Sequence, residues 1–315
     1  MNTDPSARLL AVIDAGSAAS VIEAAAAQAG RRSLDLDLLA CVTPPPDLHA
    51  AAEIAGAGPE ALIEALLDNR RREIEAVLPA GLKDRLTVRC GKTFIEIIRE
   101  AAARPTAMVV KAAEPLGGPL SRLFASTDQH LLRKCPCPVW LRAPEAGPEV
   151  TRVLAAVDVD PEADEPETLA DLNARVLDTA IAMAEPDGVV HVAHAWQADA
   201  EGLYWAFGSS GEDAGQRYAA AVKAGRKRGL DALLAPYREA AGGPDLSAHL
   251  LRGAPHAVIP DLARRVRADL LVMGTVARTG LRGVIIGNTA ENILNAAAGS
   301  VVAVKPSGFV TPIVV

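Results

Sequence analysis

Aromatic side chains are scarce in this chain. Phe, Trp and Tyr make up 3% of 315 residues, while half the chain is apolar, much of it Ala, Val and Leu. That balance argues against a bulky aromatic core and for helices packed closely on a sheet through small side chains. Basic charge is also in short supply. Against 39 Asp and Glu stand 32 Lys and Arg, a formal charge of −7, which argues against nucleic acid as a partner, since a phosphate backbone is met by a basic surface. No window holds eighteen uninterrupted apolar residues, so no membrane span is expected. The N-terminus, MNTDPSARLLAVIDAG, puts an acid before a short apolar run. A signal peptide has a basic start and a longer apolar stretch, so a cytoplasmic protein is expected. Cysteine is limited to Cys41, Cys90, Cys135 and Cys137, too few for a disulfide framework in a chain of this length. Cys135-Pro-Cys137 has one intervening residue where zinc or thioredoxin-type sites take two. These cysteines are expected to be small residues at the edge of a buried strand.

What the sequence does contain is a repeat. Leu9-Leu-Ala-Val-Ile-Asp14 returns as Val153-Leu-Ala-Ala-Val-Asp158, each a short apolar run ending in Asp. Such runs suit strands buried on both faces of a parallel sheet. Val88-Arg-Cys-Gly91 is matched by Leu250-Leu-Arg-Gly253, each a strand, a glycine turn and a helix start. Thr106 to Val110 is matched by Asp269 to Met273, and Thr127 to Leu132 by Thr289 to Leu294. Asp158 follows Asp14 by 144 positions, whereas Gly253 follows Gly91, and Thr289 follows Thr127, by 162. The second copy therefore carries about 18 extra residues before its glycine turn. Gln197 to Gly215 is the natural place for part of them, as a loop holding the aromatic cluster Gly202-Leu-Tyr-Trp-Ala-Phe207. Ala143 to Glu149, rich in Pro, Gly and Glu, marks a linker. The units are set at 1–143 and 151–307. Strands alternating with helices, such as Ala18–Ala29 and Glu60–Val77, predict an α/β fold: two tandem parallel sheets with right-handed crossovers and helices on both faces. The two copies are expected to pack as an intramolecular pseudo-dimer, and further oligomerisation stays open.

The segment Met273 to Leu294 concentrates the chemistry. Four glycines, Gly274, Gly280, Gly283 and Gly287, follow a strand and precede the helical pattern beginning at Asn288. Glycines let several backbone N–H groups converge on one anion, and a helix N-terminus adds positive potential. The same glycines can simply turn the chain, with Asn288 as cap and Glu291 in the first helical turn.

These residues resemble the universal stress protein family, in its tandem bacterial form. The resemblance rests on Thr127-Asp-Gln-His-Leu-Leu-Arg-Lys-Cys-Pro-Cys-Pro-Val-Trp140, Val258-Ile-Pro-Asp-Leu-Ala263, Gly274-Thr-Val-Ala-Arg-Thr-Gly280 and Gly287-Asn-Thr-Ala-Glu291, and it extends over nearly the whole chain. It implies two domains with an adenine nucleotide alpha hydrolase-like fold and a non-enzymatic role in the stress response. It also implies a phosphate loop of the form Gly-two-Gly-nine-Gly-Ser/Thr, which binds ATP in some members. Gly274 stands at the first glycine and Gly287 at the third. Ala277 replaces the second and Asn288 the Ser/Thr. The resemblance places Asp158 at the base of the nucleotide pocket and the strand end His191 to Ala195 on its adenine side. Magnesium accompanying the nucleotide, near Asp158, Asp160 and Glu162, stays open beside a solvated loop. In the first copy Lys111 and Ala125 occupy the outer glycine positions, so that half is expected not to bind ATP, with Lys111 a solvated lysine. Asp128 and His130 are expected on a helix surface.

Two rivals to ATP stand beside this reading. One is a lipid-like or sugar-nucleotide ligand, with the aromatic cluster as lid or pocket wall. The other is a structural interaction protein with no small ligand. Neither a Gly-x-x-x-x-Gly-Lys-Ser/Thr loop nor a Gly-x-Ser-x-Gly elbow occurs. His191 and His194, three apart on a strand, are expected to face opposite ways, a poor metal geometry.

Overall fold

The computed structural model describes residues 7–114, 126–207, 209–239, 242–275, 287–296 and 299–314. In the first half the strands are β1 (Arg8–Val12), β2 (Asp35–Val42), β3 (Leu86–Cys90), β4 (Thr106–Ala112) and β5 (Val139–Arg142). The helices between them are α1 (Ala18–Arg32), α2 (Leu48–Ala55), α3 (Pro59–Glu75), α4 (Thr93–Ala103) and α5 (Ser126–Lys134). The second half has β6 (Arg152–Ala156), β7 (Val189–Trp196), β8 (Asp245–Arg252), β9 (Leu270–Gly274) and β10 (Ser300–Val304). Its helices are α6 (Pro166–Met183), α7 (Ser209–Glu239), α8 (Pro255–Arg265) and α9 (Asn288–Ala296).

All ten strands join one sheet in the order β3-β2-β1-β4-β5-β10-β9-β6-β7-β8. Within each half the ladders are parallel. The halves meet where β10 pairs antiparallel with β5, Val301 opposite Leu141 and Ala303 opposite Val139. The expected pseudo-dimer is thus a continuous sheet, and the edge strand of each half is satisfied by the other. The strands are apolar along their length because both faces are covered. On one face Val21 and Ala25 of α1, Ile74 of α3, Val176 of α6 and Leu234 of α7 pack against the sheet. On the other lie Ile97 of α4, Leu131 of α5, Ile259 of α8 and Ile293 of α9. Alanine on α1 brings that helix close, and Gln28 of α1 donates to Met183 O at the end of α6, 3.0 Å away.

The two glycine turns are built alike. Gly91 has φ +155° and Gly253 φ +141°. Their amides donate to Val42 O and Trp196 O, each at 2.9 Å. A Cβ at Gly253 would lie 2.6 Å from Val258 Cγ1, and one at Gly91 would lie 2.8 Å from Glu96 Oε1. Glycine at these positions lets α4 and α8 start directly above the sheet.

The extra length of the second copy differs from expectation. Residues 201–207 form a 3₁₀ helix, and α7, at 31 residues, begins two positions later. The 3₁₀ segment packs on α7, with Tyr204 and Tyr218 rings 5.8 Å apart. The stretch Gln197 to Gly215, rich in Gly, Ser, Asp and Glu, is expected as a loop. From Ser209 it is instead the first turns of a long helix, which α7 extends by packing along its apolar side.

Candidate functional site

In each half the chain runs outward through three strands, then crosses back to place the fourth beside the first. The carboxyl ends of these two neighbours open a crevice, the point where open α/β sheets receive ligands. In the second half the crevice lies between β6 and β9. It is a cavity of about 760 Å³, lined by Asp158, Ala195, Gly274, Gly287 and Asn288 among others. Five of the six residues singled out from the sequence are brought together there. The sixth, Ala277, lies outside the described residues, as do Gly280 and Gly283.

Each wall has a local cause. Asp158 follows β6, its side chain 62% exposed. Its backbone is held by Asn173 of α6: the Asp158 N–H donates to Asn173 Oδ1 at 3.0 Å, and Asn173 Nδ2 donates back to Asp158 O at 2.5 Å. Asn173 is buried, and this paired contact fixes the turn that aims Asp158. The sequence reading passed over Asn173. An amide on the buried face of a helix that otherwise buries Leu172, Val176 and Leu177 is the signal that could have found it. At the far side, Gly287, Asn288, Thr289 and Ala290 line the cavity, so the amino end of α9 and its positive dipole end face the ligand space.

Gly274 ends β9. A Cβ there would come within 2.5 Å of Leu172 Cδ2, so the glycine admits the α6 side chain that forms the cavity floor. The two roots of the glycine loop are tied together: Gly287 N–H donates to Thr275 O, and Thr275 N–H to Val304 O. Thr275 is fully buried. Its hydroxyl donates to Leu132 O across the half boundary at 3.2 Å and accepts from the Lys305 ammonium.

His194 and Ala195, at the end of β7, complete one side. His191, expected on that wall, does not line the cavity. Strand alternation turns it away, and its Nδ1 lies 3.0 Å from His249 Nε2 on β8. His194 is buried, with Nδ1 3.3 Å from Val157 O and 3.7 Å from Asp158 Oδ1. Burial lowers its pKa, outweighing the nearby Asp158 carboxylate. Its Nε2 has no hydrogen-bond partner among the described residues. Asp160 and Glu162 also line the cavity. Asp160 pairs with Arg226 of α7, and that contact holds its carboxyl below the usual range against the opposing effect of burial. Among the described residues no group of three His, Cys, Asp or Glu converges as a metal site.

The equivalent crevice of the first half is closed differently. Lys111, expected to be solvated, is buried at the end of β4, its Nζ 3.1 Å from Asp128 Oδ1 and paired also with Glu114. Asp128, expected on a helix surface, is fully buried in α5 and accepts the Glu114 N–H at 2.9 Å. Polar residue type alone suggests exposure, but these two charges are buried against each other. Buried charges persist when paired. Burial pushes the Asp128 carboxyl pKa up, and Lys111 opposes that rise. His130 is stacked on Phe94, ring centroids 4.1 Å apart.

A model of the universal stress protein family matches residues 6–141 and again 149–305. The chain is 31% identical over 242 residues to universal stress protein E of Salmonella typhi, spanning 76% of this chain and 73% of that one. It is 31% identical over 224 residues to universal stress protein E of Escherichia coli K12, covering 70% and 68%. Among solved structures, a functionally unknown protein of Pseudomonas aeruginosa PAO1 superposes with a TM-score of 0.65 at 24% identity, over 97% of this chain and 95% of that one. A universal stress protein of Archaeoglobus fulgidus gives a TM-score of 0.57 at 16% identity, covering 95% and 98%. At those identities the structures speak for the fold.

Proposed function

The chain belongs to the universal stress protein family, with one family unit in each half, and from that premise we propose that it is a stress-response protein whose second half binds ATP or a related anionic ligand. One observation carries the reading: Asp158, Ala195, Gly274, Gly287 and Asn288, the residues that the family resemblance singles out, line a single cavity at the β6/β9 crossover. The α9 amino end supplies the electropositive side for phosphate. Asp158 suits hydroxyl donors such as a ribose, and the apolar floor of Leu172, Val176 and Ile259 suits a flat base. The described lining contains carboxylates and no Lys or Arg. Among the described residues it is the backbone amides at the start of α9 that are suited to hold phosphate.

The proposed role is binding and not catalysis. The imidazole in the described wall, His194, has no hydroxyl within hydrogen-bond distance among the described residues, so those residues assemble no base–nucleophile pair. The first half is proposed to be closed to ATP, because Lys111, Glu114 and Asp128 fill the equivalent position with their own charges.

A second reading, a lipid-like or sugar-nucleotide ligand, is favoured by the same apolar floor, which Met273 and Ile293 extend. Native mass spectrometry of freshly purified protein, followed by denaturing extraction, separates the two. A nucleotide mass supports the first reading, and a lipid or sugar-nucleotide mass the second. An empty protein that shows no thermal shift with millimolar ATP overturns the nucleotide reading.

A further inference from the structure

Cys135 and Cys137 take no part in the cavity, yet their surroundings are not those of inert core cysteines. They lie in the turn between α5 and β5, 0% and 9% exposed, with their sulfurs 3.6 Å apart. Beside them is Lys305, just after β10 of the other half and 2% exposed. Its ammonium donates to Leu132 O and Thr275 Oγ1, and no carboxylate pairs with it among the described residues. A buried ammonium without an anion is costly. Burial pulls the Lys305 pKa down to about 7, and the groups that pull it back up are the two cysteine sulfurs.

The effect is mutual. The hydrogen bond from Cys137, and at longer range the Lys305 charge, hold the Cys135 thiol below its usual range against burial. Cys137 is pushed up by its contact with Cys135 and by burial. With the sulfurs 3.6 Å apart, one can attack an oxidant and the other can resolve it. The remaining cysteines differ. Burial raises Cys41 to about 12, and Cys90 is raised as well. Cys90 pairs in register with Val42, the neighbour of Cys41, so alternation points Cys41 and Cys90 to opposite faces.

We propose that Cys135 and Cys137 are an oxidisable thiol pair that closes to a disulfide on reaction with a hydroperoxide, Cys135 attacking, Cys137 resolving and Lys305 supporting the attacking thiolate. In the first step the Cys135 thiolate attacks one peroxide oxygen and the O–O bond breaks. Cys135 becomes a sulfenic acid, and the departing hydroxide (or alkoxide) takes a proton from Lys305 to leave as water or alcohol. In the second step Cys137 attacks the Cys135 sulfur, the S–S bond forms and the S–O bond breaks. The hydroxyl leaves as water with the Cys137 proton. Two thiols are oxidised and one hydroperoxide is reduced. With hydrogen peroxide the products are the disulfide and two waters. The sulfurs must close from 3.6 Å to about 2.05 Å, a displacement within one turn. Lys305 also holds Thr275 at the root of the glycine loop, so the pair adjoins the ligand cavity through one side chain.

The test uses the full chain, reduced and then exposed to hydrogen peroxide, alkylated and digested with trypsin. Cleavage after Lys134 and Arg142 releases both cysteines in one peptide. That peptide is expected to lose two hydrogens and take up no alkylating agent, while Cys41 and Cys90 remain alkylated. In Cys137→Ser, dimedone is expected to label Cys135. In Lys305→Met, oxidation at pH 7 is expected to slow roughly tenfold, the change in thiolate fraction for one pKa unit, with its pH profile moved upward. Full alkylation of the 135–142 peptide after peroxide overturns the proposal. So does sulfinic acid without a disulfide in the unaltered chain, or dimedone on Cys137 of Cys135→Ser at the rate seen for Cys135. An unchanged pH profile in Lys305→Met overturns the role of the lysine.

Discussion

Lys111 and Asp128 form a buried ion pair, Nζ to Oδ1 3.1 Å, at the place in the first half where the second half has Met273 and Ala290. This pair accounts for the divergence of the two copies. Where the second half leaves a crevice, the first fills it with opposite charges from β4 and α5 and ties in the Glu114 backbone. Removing one partner strands the other in the core. Lys111→Met or Asp128→Ala alone is expected to lower stability by about 3–5 kcal/mol. The double change Lys111→Met with Asp128→Leu is expected to recover most of that loss. Urea unfolding of the three variants checks it, and additive losses in the double variant would refute the pairing.

Ala277 stands where the family loop has its second glycine. Ala277→Gly is expected to tighten ATP binding about tenfold, because a residue without a Cβ lets backbone amides approach an anion more closely. Calorimetric titration of both forms measures this. Equal affinities would move weight to the sugar-nucleotide or lipid-like ligand.

Asn173 is expected to act on the cavity through the backbone of Asp158. Asn173→Ala leaves the Asp158 N–H and C=O without their side-chain partner, a loss of about 1–3 kcal/mol. The variant should melt lower and bind ligand more weakly. Asn173→Asp, which keeps the acceptor and loses the donor, should fall between. A variant with a lower melting temperature but unchanged affinity would confine Asn173 to a structural role.

Lys305 gives the fold a pH dependence whose sign follows from its pKa. The folded value, about 7, lies below the ordinary lysine value. Between the two the unfolded chain binds more protons, so stability contributed by this group rises with pH from about 7 to about 10.5. Below pH 7 the burial of the charged ammonium opposes folding in full. Lys305→Met, which carries no charge, should therefore be more stable than the parent at pH 6, with the advantage shrinking toward pH 10. Denaturation midpoints of both proteins across that range decide it. A constant difference would mean that Lys305 keeps its ordinary pKa in the fold.

The sequence by itself determined the architecture. Apolar runs at matched offsets specified strands covered on both faces, and a strand buried that way has little choice but a parallel sheet between helix layers. Glycines at 91 and 253 fixed two turns, because the chain there takes a φ that other residues resist. The residues of the crevice were legible through the family resemblance, whose motif positions fall on Asp158, Ala195, Gly274, Gly287 and Asn288 at or beyond strand ends and at the start of α9. What tertiary structure decided was the fate of the polar side chains. Whether Lys111 is solvated or buried depends on Asp128, 17 positions along the chain, arriving from another element. Whether Cys135 and Cys137 are inert depends on Lys305, brought from the other half by the antiparallel pairing of β10 with β5. Asn173 reaches Asp158 only because α6 lies over β6. Apolar periodicity is a local property and survives in one dimension. Charge pairing and hydrogen bonding join residues distant in sequence, and they exist only once the chain has closed on itself.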